Sequence, residues 1–148
     1  MAKRLLLCFL VILSVAGCQN EALVSYHKPT YAKTELEGVT MTITEVTPSR
    51  VYYIIRVEKD NMEIAVANAL YNLLEKWENN QWEMVAKRVF PEAGTGGSAI
   101  TKEEPHYGVQ AVDELFEKPL PSGRYRLICP IEHLGMQYSV KAEFEWQE

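Results

Sequence analysis

The residues of this chain best suited to proton transfer or metal binding are its three histidines, His27, His106 and His133, and none stands at a ligand spacing from another. Short metal motifs place their ligands a few residues apart, so no metal site is expected unless the fold itself joins two of them. The carboxylates Glu103 and Glu104 precede Pro105 in a polar stretch, which reads as a solvated charge run rather than an acid/base pair. Gly94, Thr95, Gly96 and Gly97 resemble a phosphate-cradling turn in composition, but neither a Gly-Lys-Ser/Thr sequence nor a Rossmann spacing accompanies them. They read as a flexible loop. No Gly-x-Ser-x-Gly nucleophile element occurs. The expectation is therefore no catalytic residue, no cofactor, and no enzyme.

The cysteines carry a different kind of chemistry. Lys3 and Arg4 precede an almost unbroken apolar run, Leu5 to Val15, and small residues then lead into Cys18. The run is too short to span a bilayer, which takes about 20 apolar residues, and it has the layout of a secretory signal. Val15, Ala16, Gly17 and Cys18 resemble the lipobox of bacterial lipoproteins. That resemblance implies removal of residues 1–17 and a diacylglyceryl group on Cys18, and two acyl chains give stable anchoring. The other possibility is an incidental cysteine behind a plain signal peptide. Cys8 leaves with the signal, so Cys129 stands alone and no intramolecular disulfide is available. Cys129 lies in an apolar strand and reads as a small buried hydrophobe.

Loss of Lys3 and Arg4 would leave thirteen basic against twenty acidic side chains, a net charge of −7 on 131 residues. An acidic chain without a basic stripe is unsuited to nucleic acid or to an anionic lipid surface, so the expected membrane contact runs through the lipid on Cys18. Gln19 is not the aspartate associated with inner-membrane retention. A host with two membranes would sort the protein to the outer one, and a host with one would leave it lipid-anchored on the extracytoplasmic face of the cell membrane.

The elements that must position these residues are strands. Residues 18–36 show no sustained period and read as a lipidated N-terminus and flexible tether, although Tyr26, His27 and Tyr31 could instead add a short edge strand. From residue 37 the chain alternates with period two, the mark of strands with one buried face. Val39, Met41 and Ile43 form one such set, and Val51 to Glu58 is a dense β-branched and aromatic run suited to a central strand. Residues 62–77 fit a helix or a strand. A strand from about Leu70 to Trp77 is favoured, because Asn79 and Asn80 tolerate a left-handed turn and Gln81 to Val85 resume alternation, as in a hairpin. A loop from Phe90 to Pro105 follows, then strands at Gly108 to Leu115, Arg124 to Cys129 (closed by Pro130) and Tyr138 to Trp146. About seven strands with short turns and no strong helix predict an all-β antiparallel sandwich of the immunoglobulin-like kind over residues 37–148.

Leu74-Glu75-Lys76, Trp82 after a polar turn, the strand Val39 to Ile43 and Leu120-Pro121-Ser122-Gly123-Arg124-Tyr125-Arg126-Leu127 together resemble the bacterial Ig-like domains of small Firmicutes lipoproteins. The resemblance covers about residues 37–146. It departs from the pattern at Ala69 and Asn80, where glycine is expected, and in an enlarged Gly94 to Gly97 loop. It implies the fold and the location and supplies no mechanism.

The functional expectation is a binding or interaction module of the cell envelope with an envelope protein as partner. Its contact surface is expected at Phe90, His106, Tyr107 and His133, with the alternative that Phe90 and Tyr107 merely plug the ends of the sandwich. An inhibitor or regulator of an envelope protease is a second reading. A hydrolase whose site is assembled only by the fold is a third.

Overall fold

A computed structural model describes residues 34–87, 97–116 and 120–147. The expected signal peptide, Cys18, most of the tether and Phe90 lie outside these residues. In chain order the strands are β1 (Val39–Val46), β2 (Arg50–Val57), β3 (Ile64–Val66), β4 (Leu73–Glu78), β5 (Gln81–Met84), β6 (Ser98–Ile100), β7 (His106–Ala111), β8 (Gly123–His133) and β9 (Met136–Trp146). They form two antiparallel sheets, β1-β2-β7 and a larger one in which β5-β4-β8-β9 run side by side. The short pair β3-β6 continues the larger sheet on the edge of β8 that β4 occupies. Strands one, two and seven facing five, four, eight and nine reproduce the sheet partition of an immunoglobulin-like sandwich.

Alternation places the core between the sheets. Val51, Tyr53, Ile55 and Val57 of β2 point inward and meet Tyr125, Leu127, Cys129 and Ile131 of β8, with Leu74, Val140 and Phe144 beside them. At the entry to β8, the buried Tyr125 donates its hydroxyl to the Pro121 carbonyl at 2.6 Å. This is the tyrosine corner that ties a turn to its strand in such sandwiches, and it explains the spacing of Pro121, Gly123 and Tyr125.

The ambiguous segment 62–77 forms no α-helix but two strands, β3 and β4, and the strand favoured from about Leu70 begins at Leu73. Asn68 caps a single 3-10 turn, Ala69–Tyr71, by accepting the Leu70 amide at 3.0 Å, and β4 follows. Asn79 and Asn80 take φ of 51° and 61°, forming the expected left-handed hairpin turn into β5.

Three expectations need correction. The strand expected over Gly108 to Leu115 runs from His106 to Ala111 and then becomes one helical turn, α1 (Val112–Leu115). Its partner β2 begins at Arg50, so beyond the Arg50–Ala111 pair there is no strand to continue the ladder. Pro130 does not close its strand, since β8 continues to His133 and Pro130 pairs with Ser139 of β9. The Pro130 carbonyl accepts the Ala67 amide at 3.2 Å, so that residue's polar groups face away from β9. The missing N–H thus falls in the gap between the β4 and β3 pairings, where no ladder bond is lost. Finally, β3 and β6 were not expected, and β6 lies in the stretch read as one loop from Phe90 to Pro105. At three residues each they are too short to show a period, although Ile64, Val66 and Ile100 are all buried.

The end of the stretch read as tether already belongs to the sandwich. Glu35 makes a parallel bridge with Ser139, and the Ser139 amide donates to the Thr34 carbonyl at 3.1 Å, closing part of the free edge of β9. Among the described residues no helix is long and apolar enough to cross a membrane.

Candidate recognition surface

Of the four residues expected to form the contact surface, three are described, and they go to different places. His106 opens β7 with its ring turned to the interior, 6.0 Å from the Tyr53 ring, and burial holds its pKa below the usual imidazole value. Tyr107, one residue on, points the other way and is 71% exposed. His133 ends β8 in the other sheet, with Nδ1 2.8 Å from the Glu63 carbonyl oxygen, fastening the hairpin tip to the segment before β3. His106 packs and His133 ties, which leaves Tyr107 as the side chain offered outward.

Register builds a surface around Tyr107. It pairs with Ile54, and Val109, 42% exposed, pairs with Tyr52. The four side chains form an apolar block on the outer face of the β1-β2-β7 sheet, bordered by Thr42 of β1, which pairs with Ile54. Arg50 and Arg56 stand at either end of β2 on the same face, as period two requires. Acidic groups near them are Glu45, which pairs with Tyr52 from β1, Glu58 beyond the end of β2, Glu103 and Glu104 in the turn before β7, and Asp113 and Glu114 in the turn after it. None of them forms an ion pair with Arg50 or Arg56. Lys59, Lys76, Lys102, Arg124, Arg126 and Lys141 are all salt-bridged, and Lys87 donates to the Leu70 carbonyl at 2.7 Å. Arg50 and Arg56 are thus the two cations among the described residues whose side chains have no such partner.

The outer face of the large sheet is chemically richer and internally closed. Trp77 and Trp82 meet edge to face at 5.2 Å, the Arg126 guanidinium lies 4.4 Å from the Trp82 ring centroid, and Arg124 stands 5.5 Å from it. Arg126 is also bonded to Glu75, and Arg124 to Glu143. Each cation already holds a carboxylate and an aromatic face, so this ladder stiffens the sheet and offers little unsatisfied charge. In the sequence Trp82 counts only as part of the alternating run Gln81 to Val85 and as a mark of resemblance. The arginines at 124 and 126 and the tryptophans at 77 and 82 become one cluster only through the β4–β5 and β4–β8 registers.

In the interior, the Asn72 side-chain amide donates to the Tyr53 hydroxyl at 3.0 Å. The Cys129 thiol is fully enclosed, and burial pushes its pKa up to about 12, so it is a protonated core group at neutral pH. Burial lowers Lys87 from the ordinary 10.5 to about 8. Among the described residues no group of three or more His, Cys, Asp or Glu side chains is placed to hold a metal ion.

These shifts predict an alkaline stability profile. Between about pH 8 and 10.5 the unfolded chain keeps the Lys87 proton that the folded chain has lost, so stability rises with pH. Above the ordinary thiol value of 9.0 the unfolded chain loses the Cys129 proton while the folded chain keeps it to about 12, so stability falls, and Tyr53, also raised by burial, deepens the fall. A series of melting curves should show Tm increasing between about pH 8 and 9, level between about 9 and 10 where the Lys87 and Cys129 contributions offset each other, and declining above about 10, where Tyr53 adds to the loss. Lys87→Met should remove the increase, and Cys129→Ala should make the decline shallower. A flat profile in the wild type would contradict the burial of these groups.

No protein-family model matches the chain, and no curated protein matches it.

Proposed function

We propose that the protein is a membrane-anchored, extracytoplasmic binding module of the cell envelope, held by lipid on Cys18 and using the outer face around Tyr107 to engage an envelope protein. The lipobox-like Val15 to Cys18 sequence and the resemblance to the Ig-like domains of small Firmicutes lipoproteins support the location. The observation that carries the binding role is the exposed pair Tyr107 and Val109 beside the half-buried Tyr52 and Ile54, flanked by two arginines without ion pairs. Tyrosine and arginine are enriched in protein interfaces, and an apolar centre with a charged rim is the usual anatomy of a contact patch.

The test is site-specific photo-crosslinking in cells, with the photoreactive amino acid at position 107 and, as control, at the exposed Asn80 in the β4–β5 turn. The expected result is a discrete crosslinked product from position 107 that position 80 does not give. Identical patterns from the two positions would remove the proposed surface.

One observation favours the inhibitor reading. The β8–β9 turn carries Leu134 at φ 51° and 87% exposed. A bulky residue in the left-handed region is unusual, and a protruding apolar tip is a shape that can enter a protease cleft. On that reading, inhibition of envelope proteases would be lost in Leu134→Asp while crosslinking from position 107 persists.

A further inference from the structure

We infer that the partner of the Tyr107 face is an extended peptide segment with two acidic residues about six positions apart and apolar residues between them. This rests on the binding role proposed above and specifies the ligand of the same surface. Arg50 and Arg56 are six residues apart on one strand and on one face, a separation of roughly 20 Å at about 3.3 Å per residue. Arg50 pairs with Ala111, and continuing the register one residue beyond the Ile55–His106 pair sets Arg56 beside Pro105. Both neighbours are compact, so each guanidinium is free to lean across β7. Between the two arginines lie Tyr52 with Val109 and Ile54 with Tyr107, two apolar rows in register. An extended ligand lying along β2 and β7 alternates its side chains with the same period as the sheet. It would set acidic groups at positions 1 and 7 against the arginines, and apolar groups at positions 3 and 5 against the two rows.

The charges select against other anions. A nucleic acid carries a negative charge every ~1.7 Å, and two arginines some 20 Å apart answer two separate carboxylates far better than a continuous run of phosphates. Glu45 on the β1 side and Glu58 beyond β2 repel any extra negative charge at the borders. A desolvated arginine–carboxylate contact is bidentate and directional, and among the described residues it is available at these two arginines because the other salt-bridging cations are taken.

The experiment uses the full-length protein in nanodiscs and a fluorescent peptide, Glu-Thr-Val-Thr-Val-Thr-Glu, with versions ending in Gln and in Lys, followed by anisotropy at low and high salt. The Glu-ended peptide is expected to bind saturably, roughly tenfold or more tighter than the Gln-ended one, with the Lys-ended one weakest and all binding reduced by salt. The double variant Arg50→Gln/Arg56→Gln, with an unchanged melting temperature, should lose that tenfold preference. Absence of binding, or equal binding of the Glu-ended and Gln-ended peptides, overturns the inference. So does a dimer of the free protein that the double variant dissolves, which would assign the face to a second copy of the chain. Crosslinking from position 107 separates the two levels of argument. A crosslinked partner that persists in the double variant keeps the binding role and removes the acidic segment, whereas no specific product removes both.

Discussion

Replacing Gly108 by alanine is expected to destabilise the domain by about 3 kcal/mol or more. An alanine Cβ at this position would stand 2.5 Å from the Tyr53 hydroxyl oxygen and closer still to the ring carbons. The ring has nowhere to go. Tyr53 is buried, its hydroxyl accepts the Asn72 amide at 3.0 Å, and the His106 ring closes one side. Moving it breaks that bond as well as the packing, and Asn72 already has a side-chain carbonyl without a partner among the described residues. Overpacking costs typically about 1–3 kcal/mol, and a stranded buried amide about 1–3 kcal/mol more. For a domain of about a hundred residues this lowers Tm by on the order of 15 °C. Thermal and urea unfolding would measure it. Tyr53→Leu/Gly108→Ala should recover part of the loss, because the smaller side chain vacates the space the methyl group needs. If Gly108→Ala costs under about 1 kcal/mol, the Tyr53 ring does not lie over β7 as described.

The same pair of residues shows how far the sequence carries. The β-branched and aromatic run Val51 to Glu58 announces a central strand, and its period identifies Val51, Tyr53, Ile55 and Val57 as one face. What no pattern within β2 can show is that the ring of Tyr53 needs a glycine across the ladder, since Gly108 is more than fifty residues away. Long strands with a dry face were therefore legible, and so was the Asn79-Asn80 hairpin, because each is encoded within a window of about ten residues. The strand end at Pro130 was misread for the opposite reason. Proline removes one donor, and whether that donor would have been used depends on which neighbour lies on which side.

The contact surface follows the same division. Tyr107 was legible as an exposed aromatic next to a turn, but grouping it with His106 and His133 took adjacency in sequence, and an assumed neighbourhood of two loops, for a shared face. Alternation sends His106 inward, and His133 belongs to the other sheet. Arg50 and Arg56 were invisible as a pair with a role, because what distinguishes them from Arg124 and Arg126 is the absence of ion-pair partners, a property of the assembled charges and not of the strand that bears them.

Cys18→Ala is expected to abolish acylation of the chain and to leave it at precursor size, seventeen residues longer than the processed form. Each buried methylene of an acyl chain contributes about 0.8 kcal/mol to membrane partitioning, so two long chains hold a protein effectively permanently whereas one holds it reversibly. The variant keeps its signal run, Leu5 to Val15, but eleven residues fall well short of the ~20 needed to span the hydrocarbon core. An alkaline wash should therefore release most of the variant and little of the wild type. Metabolic labelling with palmitate should mark the wild type alone. The anchor also bears on recognition. A tether confines the domain near the membrane and raises the effective concentration of any partner held there, so crosslinking from position 107 should fall sharply in Cys18→Ala even though residue 107 and its surroundings are unchanged. Full palmitate labelling of the variant would move the lipid to another residue. Unlabelled wild type would remove the anchor, and with it the reason for placing the partner in the envelope.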